Sequence, residues 1–251
     1  MEVLLYLGCT VPVRNLNYEL SARLTASALG ITFRDLNSFG CCGFPLKSLN
    51  SEDTLVIAAR NLALAEREGM EICALCNACT GTLTEAAHLL ESRPELKEQV
   101  NKRLKSVDLR YEGPVRVRHY MRLLWEEIGV DGIRSAITRP LSGATLAPHY
   151  GCHYLKPSEL TVGFDSPEVP RTLSELISAT GAQALVLVCP FCNVMYEGQQ
   201  KKIVKKAGLD LKVPVVYYPQ VLGLALGLSS DELGFKLNRV KPTQLLQTVE
   251  G

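Results

Sequence analysis

The feature that most constrains this chain of 251 residues is the spacing of its nine cysteines. They comprise two isolated cysteines, an adjacent pair, a Cys-x-x-Cys-x-x-Cys run and a second Cys-x-x-Cys: Cys9, Cys41, Cys42, Cys73, Cys76, Cys79, Cys152, Cys189 and Cys192. An odd count in a long chain that shows no basic leader segment does not fit a secreted disulfide framework. Clustered cysteines are typical of metal ligands or catalytic thiols in a reducing compartment, so we expect a cytoplasmic protein.

The cysteine groups recur where a short apolar run ends and a helix-like segment begins. Residues 3–7 precede Cys9, residues 31–36 precede Cys41-Cys42-Gly43, and residues 71–75 precede Cys76-Asn77-Ala78-Cys79. Strands that alternate with helices indicate a parallel α/β sheet, and parallel strands present their carboxyl ends at one edge. The pattern therefore predicts an α/β fold with the cysteines gathered at the carboxyl ends of the strands.

The pattern restarts near residue 144, which predicts two similar lobes, each a small parallel sheet flanked by helices. An apolar run at 144–148 leads to Cys152, and another at 184–188 leads to Cys189-Pro190-Phe191-Cys192. We define the first lobe as residues 1–112 and the second lobe as residues 144–251. A helical connection with one strand is expected at 113–143.

The two halves differ in length between equivalent cysteines. Cys9 and Cys76 are 67 positions apart, whereas Cys152 and Cys189 are 37 positions apart. Thirty positions are missing from the second half, together with any counterpart of Cys41-Cys42-Gly43.

Charge and motif content exclude several functions. The 27 basic and 26 acidic residues leave a formal charge of +1, without the basic excess of a nucleic-acid binder or a polybasic membrane protein. Prolines interrupt the longest uncharged stretch, 213–230, so no membrane span is expected. The sequence contains no glycine-rich phosphate loop, which predicts that the chain itself binds no flavin or nucleotide.

The first lobe contains more clustered thiols than one zinc ion takes. Structural zinc has four ligands, whereas iron–sulfur clusters are also held by thiolates. A ferredoxin run starting at Cys73 would need a further cysteine where Leu83 stands, so that pattern fails. Cys73 lies inside an apolar run and is predicted to be a buried core thiol.

The spacing of Cys9, Cys41-Cys42-Gly43 and Cys76-x-x-Cys79 resembles the cysteine-rich CCG motif found in the B subunit of heterodisulfide reductase. Further segments that are similar to that protein lie at 7–14, 45–48, 76–79, 150–153 and 222–228, so the resemblance covers nearly the whole chain. It implies a two-lobed α/β protein with non-cubane [4Fe–4S] clusters, each held by five cysteines.

The resemblance also implies a ligand set, partners and an activity. The cluster of the first lobe would be bound by Cys9, Cys41, Cys42, Cys76 and Cys79. The neighbours would be a flavoprotein that resembles the A subunit of heterodisulfide reductase and a ferredoxin-like protein that resembles its C subunit. Electrons would pass between such a partner and a disulfide or a carrier-bound sulfur, in the reducing or the sulfur-oxidising direction.

The second lobe departs from the family pattern, since it retains only Cys152, Cys189 and Cys192. We expect a smaller site there, either an incomplete iron–sulfur site or zinc, with His149 or His153 as a candidate further ligand. An alternative function stays open, in which the chain is a zinc-stabilised structural or assembly subunit without electron chemistry.

Overall fold

The computed structural model describes residues 1–144, 146, 148–151, 186–207 and 214–250. These residues form two parallel β-sheets flanked by helices, one of four strands and one of three. The α/β class and the two-sheet arrangement predicted from the sequence are confirmed.

The first sheet has the strand order β2-β1-β3-β4, and every neighbouring pair is parallel. Its strands are β1 (Glu2–Tyr6), β2 (Thr32–Asp35), β3 (Ile72–Ala74) and β4 (Val117–His119). The helices between them are α1 (Val11–Arg14), α2 (Leu16–Ala28), α3 (Ser51–Arg67), α4 (Asn77–Ser92) and α5 (Pro94–Leu104). The central strands β1 and β3 are apolar and buried, as expected for a parallel sheet that is covered on both faces.

Strand β4 lies in the segment that was expected to connect the lobes, and it extends the first sheet beyond residue 112. It pairs with β3, with Ile72 opposite Val117. The buried Arg118 side chain in β4 contacts the carboxylates of Glu71, Glu126 and Glu127, which ties β4 to the segment before β3 and to the helical turn after β4. The helical segments that follow are α6 (Tyr120–Leu123), a π-helical turn (Leu124–Ile128) and α7 (Gly129–Ala136).

The second sheet has the order β5-β6-β7 and is also parallel. Its strands are β5 (Pro148–His149), β6 (Val186–Leu187) and β7 (Val216–Tyr217), and its helices are α8 (Pro190–Ala207), α9 (Tyr218–Ala225) and α10 (Thr243–Glu250). Residues 152–185 lie outside the described residues, and Cys152 and His153 are among them.

One apolar core connects the two sheets. Side chains of β1 and α2 share a buried cluster with those of β6, β7 and α9. The rings of Tyr18 and Tyr217 stack at 4.1 Å between centroids, and the Tyr18 hydroxyl donates to the carbonyl of Val188 at 3.0 Å. The His119 ring lies 2.9 Å from the same carbonyl through Nε2. These contacts hold the end of β6, and therefore Cys189, against the first lobe.

Candidate metal centre

Five thiols of the first lobe form one continuous line of side-chain contacts. Cys9 contacts Cys41, which neighbours Cys42. Cys42 contacts Cys79, and Cys79 contacts Cys76. The structure therefore brings together all five cysteines that the sequence singled out as a ligand set: Cys9, Cys41, Cys42, Cys76 and Cys79.

The fold places these thiols at the carboxyl edge of the first sheet. Cys9 follows β1, the adjacent pair follows β2, and Cys76 follows β3 as the N-terminal capping residue of α4. Cys79 lies one turn into α4, so the helix dipole favours the thiolate of both Cys76 and Cys79. Contacts with other thiols outweigh this effect, because Cys189 raises the pKa of Cys76 and Cys42 raises the pKa of Cys79. Ligands from three separate segments converge because the strands are parallel.

Contacts among the thiols and their burial shift their pKa values in opposite directions. A hydrogen bond from the Cys79 thiol lowers the pKa of Cys42 to about 7, whereas burial raises the pKa of Cys41 to about 11. The pKa of Cys79 is raised because its thiol donates to Cys42. Metals and clusters bind thiolates, and among the pKa shifts of these thiols the one at Cys42 favours the thiolate.

A glycine and a tyrosine shape the space beside the thiols. Gly8 has a φ of +63°, and a Cβ added there would lie 2.9 Å from Cys79 Sγ. The buried Tyr6 lies close to the thiols. Its pKa is raised by burial and by four of the five thiols. Five convergent thiols beside a position that excludes a side chain fit a thiolate-bound iron–sulfur cluster.

Cys73 lies apart from this line of thiols. It is fully buried in β3, on the side of the strand that belongs to the core between the two sheets. The pKa of its thiol is raised by burial, and the charged groups that influence it are Arg118 and Glu71 rather than other cysteines.

The second lobe adds two thiols to the same line, which the sequence did not predict. Cys189 contacts Cys76 and Cys192, and the hydrogen bond from Cys192 lowers the pKa of Cys189. At the same junction, Asn77 Nδ2 donates to the carbonyl of Tyr150 at 2.7 Å. The two Cys-x-x-Cys motifs therefore meet where the lobes meet, a tertiary contact that no spacing along the chain reveals.

The remaining candidates of the second lobe are described only in part. The His149 ring packs edge-on against Tyr196 with the centroids 4.9 Å apart, while Cys152 and His153 fall outside the described residues. Gly151 lies beside Cys192, since a Cβ at Gly151 would be 3.2 Å from that sulfur.

Among the residues that the structure describes, no group of three or more His, Cys, Asp or Glu side chains is arranged to hold a single metal ion.

Sequence reasoning missed the polar residues that hold the cysteine loops, namely Asn61, Asn77 and the hydroxyl of Tyr6. The sequence contained a signal for Asn61, because an asparagine among the alanines and leucines of a helix is unfavourable unless its side-chain amide forms hydrogen bonds. In the structure Asn61 is fully buried in α3.

Comparison with known proteins agrees with this geometry. The family model described as a cysteine-rich domain, CCG, matches residues 3–84. The B subunit of the ferredoxin/F420H2-dependent CoB–CoM heterodisulfide reductase of Methanosarcina acetivorans is 33% identical over 290 aligned positions, which cover 98% of this chain and 96% of the relative. The 8-methylmenaquinol:fumarate reductase membrane anchor subunit of Wolinella succinogenes is 28% identical, with 97% of this chain and 99% of the relative covered.

A solved structure of a hypothetical protein from Helicobacter pylori has the same fold, with a TM-score of 0.74 and 20% identity. The match covers 96% of this chain and 52% of the solved chain, so this chain spans about half of that protein's length.

Fold and site together define an α/β protein with two parallel sheets and a cysteine-rich site at the edge of the first sheet. The chain belongs to the family of heterodisulfide reductase B subunits. Within the described residues, no helix combines the length and the apolar character needed to cross a membrane.

Proposed function

We propose that the chain is an iron–sulfur redox subunit of a complex that resembles heterodisulfide reductase. The observation that carries this proposal is the unbroken line of five thiols at the carboxyl edge of the first sheet. Cys9, Cys41, Cys42, Cys76 and Cys79 are the proposed ligands of one non-cubane [4Fe–4S] cluster. Such a cluster, when bound, supplies one-electron transfer.

The protein's own groups orient these ligands and control access to them. Cys9 is exposed and Cys41 is half-buried, whereas Cys42, Cys76 and Cys79 are buried. One end of the ligand set therefore faces solvent and the other faces the second lobe. This asymmetry provides one side where a substrate sulfur can approach and one side that is shielded from water.

The proposed reaction passes electrons between a protein partner and a disulfide or a carrier-bound sulfur, in a direction that the potentials of the complex set. A flavoprotein that resembles the A subunit of heterodisulfide reductase and a ferredoxin-like protein that resembles its C subunit would supply or remove the electrons. All eight described cysteines are free thiols, which supports the cytoplasm as the compartment.

For the second lobe we propose a smaller metal site, zinc or an incomplete iron–sulfur site, made of Cys152, Cys189 and Cys192 with His149 or His153. Support comes from the contact between Cys189 and Cys192 and from the alignment of 290 positions, which is longer than the 251-residue chain. The relatives thus contain residues that this chain lacks. Replacing all three cysteines by alanine should lower the zinc or iron content, and unchanged metal content would contradict the second site.

The ligand set of the first lobe is tested by single substitutions in anaerobically purified protein. Cys41→Ala and Cys42→Ala should each abolish the cluster or convert it to another type, which iron analysis and EPR spectroscopy would measure. Cys73→Ala is the matched control, because this thiol is as buried as Cys42 but contacts none of the other thiols that the structure describes. Wild-type iron content in both ligand variants, or loss of iron in the control, would refute the assignment.

The substrate class has its own test, since the Wolinella relative is named for a methylmenaquinol rather than a sulfur compound. Protein with its cluster should react with a mixed disulfide or a persulfide and not with a menaquinol. Reaction with the menaquinol alone would refute a sulfur compound as the substrate, but it would not contradict the proposed cluster.

A further inference from the structure

Side chains, rather than main-chain partners, hold the backbone just before the adjacent cysteine pair. Asn61 Oδ1 accepts from the N–H of Gly40 at 2.9 Å, and Asn61 Nδ2 donates to the carbonyl of Cys41 at 3.0 Å. The Tyr6 hydroxyl donates to the carbonyl of Gly40 at 2.7 Å. Two side chains therefore fix three main-chain polar groups of Gly40 and Cys41.

Both side chains are themselves anchored in regular elements. Asn61 is fully buried in the middle of α3, and its Nδ2 also donates to the carbonyl of Ile57 at 3.0 Å. Tyr6 is the last residue of β1, and its ring packs edge-on against Phe39 with the centroids 5.0 Å apart. The loop is thus attached to a strand on one side and to a helix on the other.

The attachment matters because the loop is otherwise free to adopt several conformations. Glycines flank the cysteine pair at positions 40 and 43, and Gly43 has a φ of +90°. Glycine imposes little restriction on the backbone, so the directions of two neighbouring sulfurs depend on whatever fixes the peptide groups around them. A rotation of the peptide between Gly40 and Cys41 would redirect the Cys41 side chain and the residue after it.

We propose that Asn61, assisted by Tyr6, is a positioning residue that sets the directions of the Cys41 and Cys42 thiols. This inference rests on the proposed function, since it treats both thiols as ligands. The amide of Asn61 acts through the backbone of Gly40 and Cys41. A purely structural asparagine would stabilise the fold without affecting these two thiols in particular.

The chain offers a matched control in Asn101. Its Oδ1 accepts from the N–H of Tyr111 at 2.9 Å, and its Nδ2 donates to the carbonyl of Tyr111 at 3.0 Å. Asn101 is buried in α5 of the same lobe. It therefore makes the same pair of bonds at a place that holds no cysteine, and its loss should cost a similar amount of stability.

The experiment compares Asn61→Ala and Asn101→Ala in the metal-free, reduced full-length chain. Alkylation rates of individual cysteines are followed by mass spectrometry, with Cys9 as the internal reference and urea unfolding as the measure of stability. Asn61→Ala should raise the alkylation rates of Cys41 and Cys42 relative to Cys9 by about tenfold, the effect of losing one or two buried hydrogen bonds. Asn101→Ala should leave these relative rates at the wild-type value.

The same variants are then prepared anaerobically with iron and sulfide. Asn61→Ala should alter the EPR spectrum or lower the iron content, and Asn101→Ala should do neither. Equal alkylation patterns in the two variants would overturn the positioning role, whether or not the wild-type chain binds a cluster. The alkylation result therefore separates this inference from failure of the proposed function.

Tyr6→Phe keeps the inference testable if Asn61→Ala does not fold. This substitution removes only the hydroxyl that donates to Gly40, and it retains the ring that packs on Phe39. Relative alkylation of Cys41 should rise by about threefold, in keeping with the loss of one hydrogen bond. An unchanged rate in Tyr6→Phe would contradict its part in the positioning.

Discussion

The two lobes use the same strand-to-helix junction but differ in what surrounds it. In the first lobe, β3 ends at Cys76, which caps α4, and in the second lobe β6 leads through Cys189 into α8. Only the first lobe has, between its equivalent cysteines, a segment with an adjacent cysteine pair, and buried side chains of β1 and α3 fix that segment. The sheet edge brings thiols together in both lobes, whereas the segment between the equivalent cysteines decides how many thiols that edge presents.

The difference extends to how each lobe is stabilised. The first sheet has four strands, and the buried Arg118 joins its outer strand to three carboxylates. The described part of the second sheet has three short strands, which contact the first sheet and its helices through Tyr18, His119 and the shared core. We therefore expect the first lobe to provide most of the stability and the second lobe to depend on the junction.

The largest stability effect is expected from Arg118→Met, which would test whether the first lobe dominates. The substitution removes the cation that Glu71, Glu126 and Glu127 share, while Glu126 keeps its ion pairs with Arg116 and Arg122 and Glu71 keeps a longer contact with Arg116. Removing one partner of a buried ion pair costs about 3–5 kcal/mol, and partial exposure of the carboxylates favours the lower end. Urea unfolding of the metal-free chain measures the change, and a loss below about 1 kcal/mol would show that the network contributes little.

A pH-dependent effect of intermediate size is expected from His119 at the junction. Burial lowers the pKa of His119 to about 4 in the folded chain, against about 6.5 when unfolded. The unfolded state therefore binds the proton more readily than the folded state. The contribution of His119 to the free energy of unfolding is complete above pH 6.5 and is lost as the pH falls toward 4. Between pH 7 and pH 5 the free energy of unfolding should fall by about 2 kcal/mol on this account.

His119→Gln is the control for that pH dependence. The variant is less stable at pH 7, because the bond from the ring to the Val188 carbonyl is altered, but its stability should change less between pH 7 and pH 5. If the wild type and the variant lose stability equally over this range, His119 is not the responsible group.

The smallest effect is expected from Tyr18→Phe, which removes one hydrogen bond across the junction. The ring can still stack on Tyr217, and the Val188 carbonyl keeps its contact with His119. The expected loss is about 1 kcal/mol in the free energy of unfolding. Faster amide hydrogen exchange in β6 and β7 than in β1 and β3 would locate the loss at the junction, and uniform exchange would contradict a dependent second lobe.

Sequence reasoning predicted the strands that precede the cysteines because parallel strands are short apolar runs with recognisable ends. Strands β2, β3 and β6 lie within the predicted runs, and β1 overlaps its run but begins one residue earlier, at Glu2. The resemblance to the CCG motif implied the five cysteines that the structure brings together, and their positions at strand-to-helix junctions placed them at one sheet edge.

What the sequence did not predict depends on contacts between distant residues. The pairing of β4 with β3 follows from sheet order, and the contact of Cys76 with Cys189 follows from the shared core between the lobes. The hydrogen bonds of Asn61 to Gly40 and Cys41 join positions about twenty residues apart through side-chain geometry. Local propensity and periodicity contain no information about such contacts.

The proposed function depends above all on one five-cysteine cluster in the first lobe. The most direct test is the iron and acid-labile sulfide content of anaerobically purified wild-type protein. One five-cysteine cluster predicts a brown protein with at least about four iron atoms and about four sulfides per chain, and with fewer than about eight iron atoms. A colourless protein that contains zinc alone, or a content near eight iron atoms per chain, would contradict it.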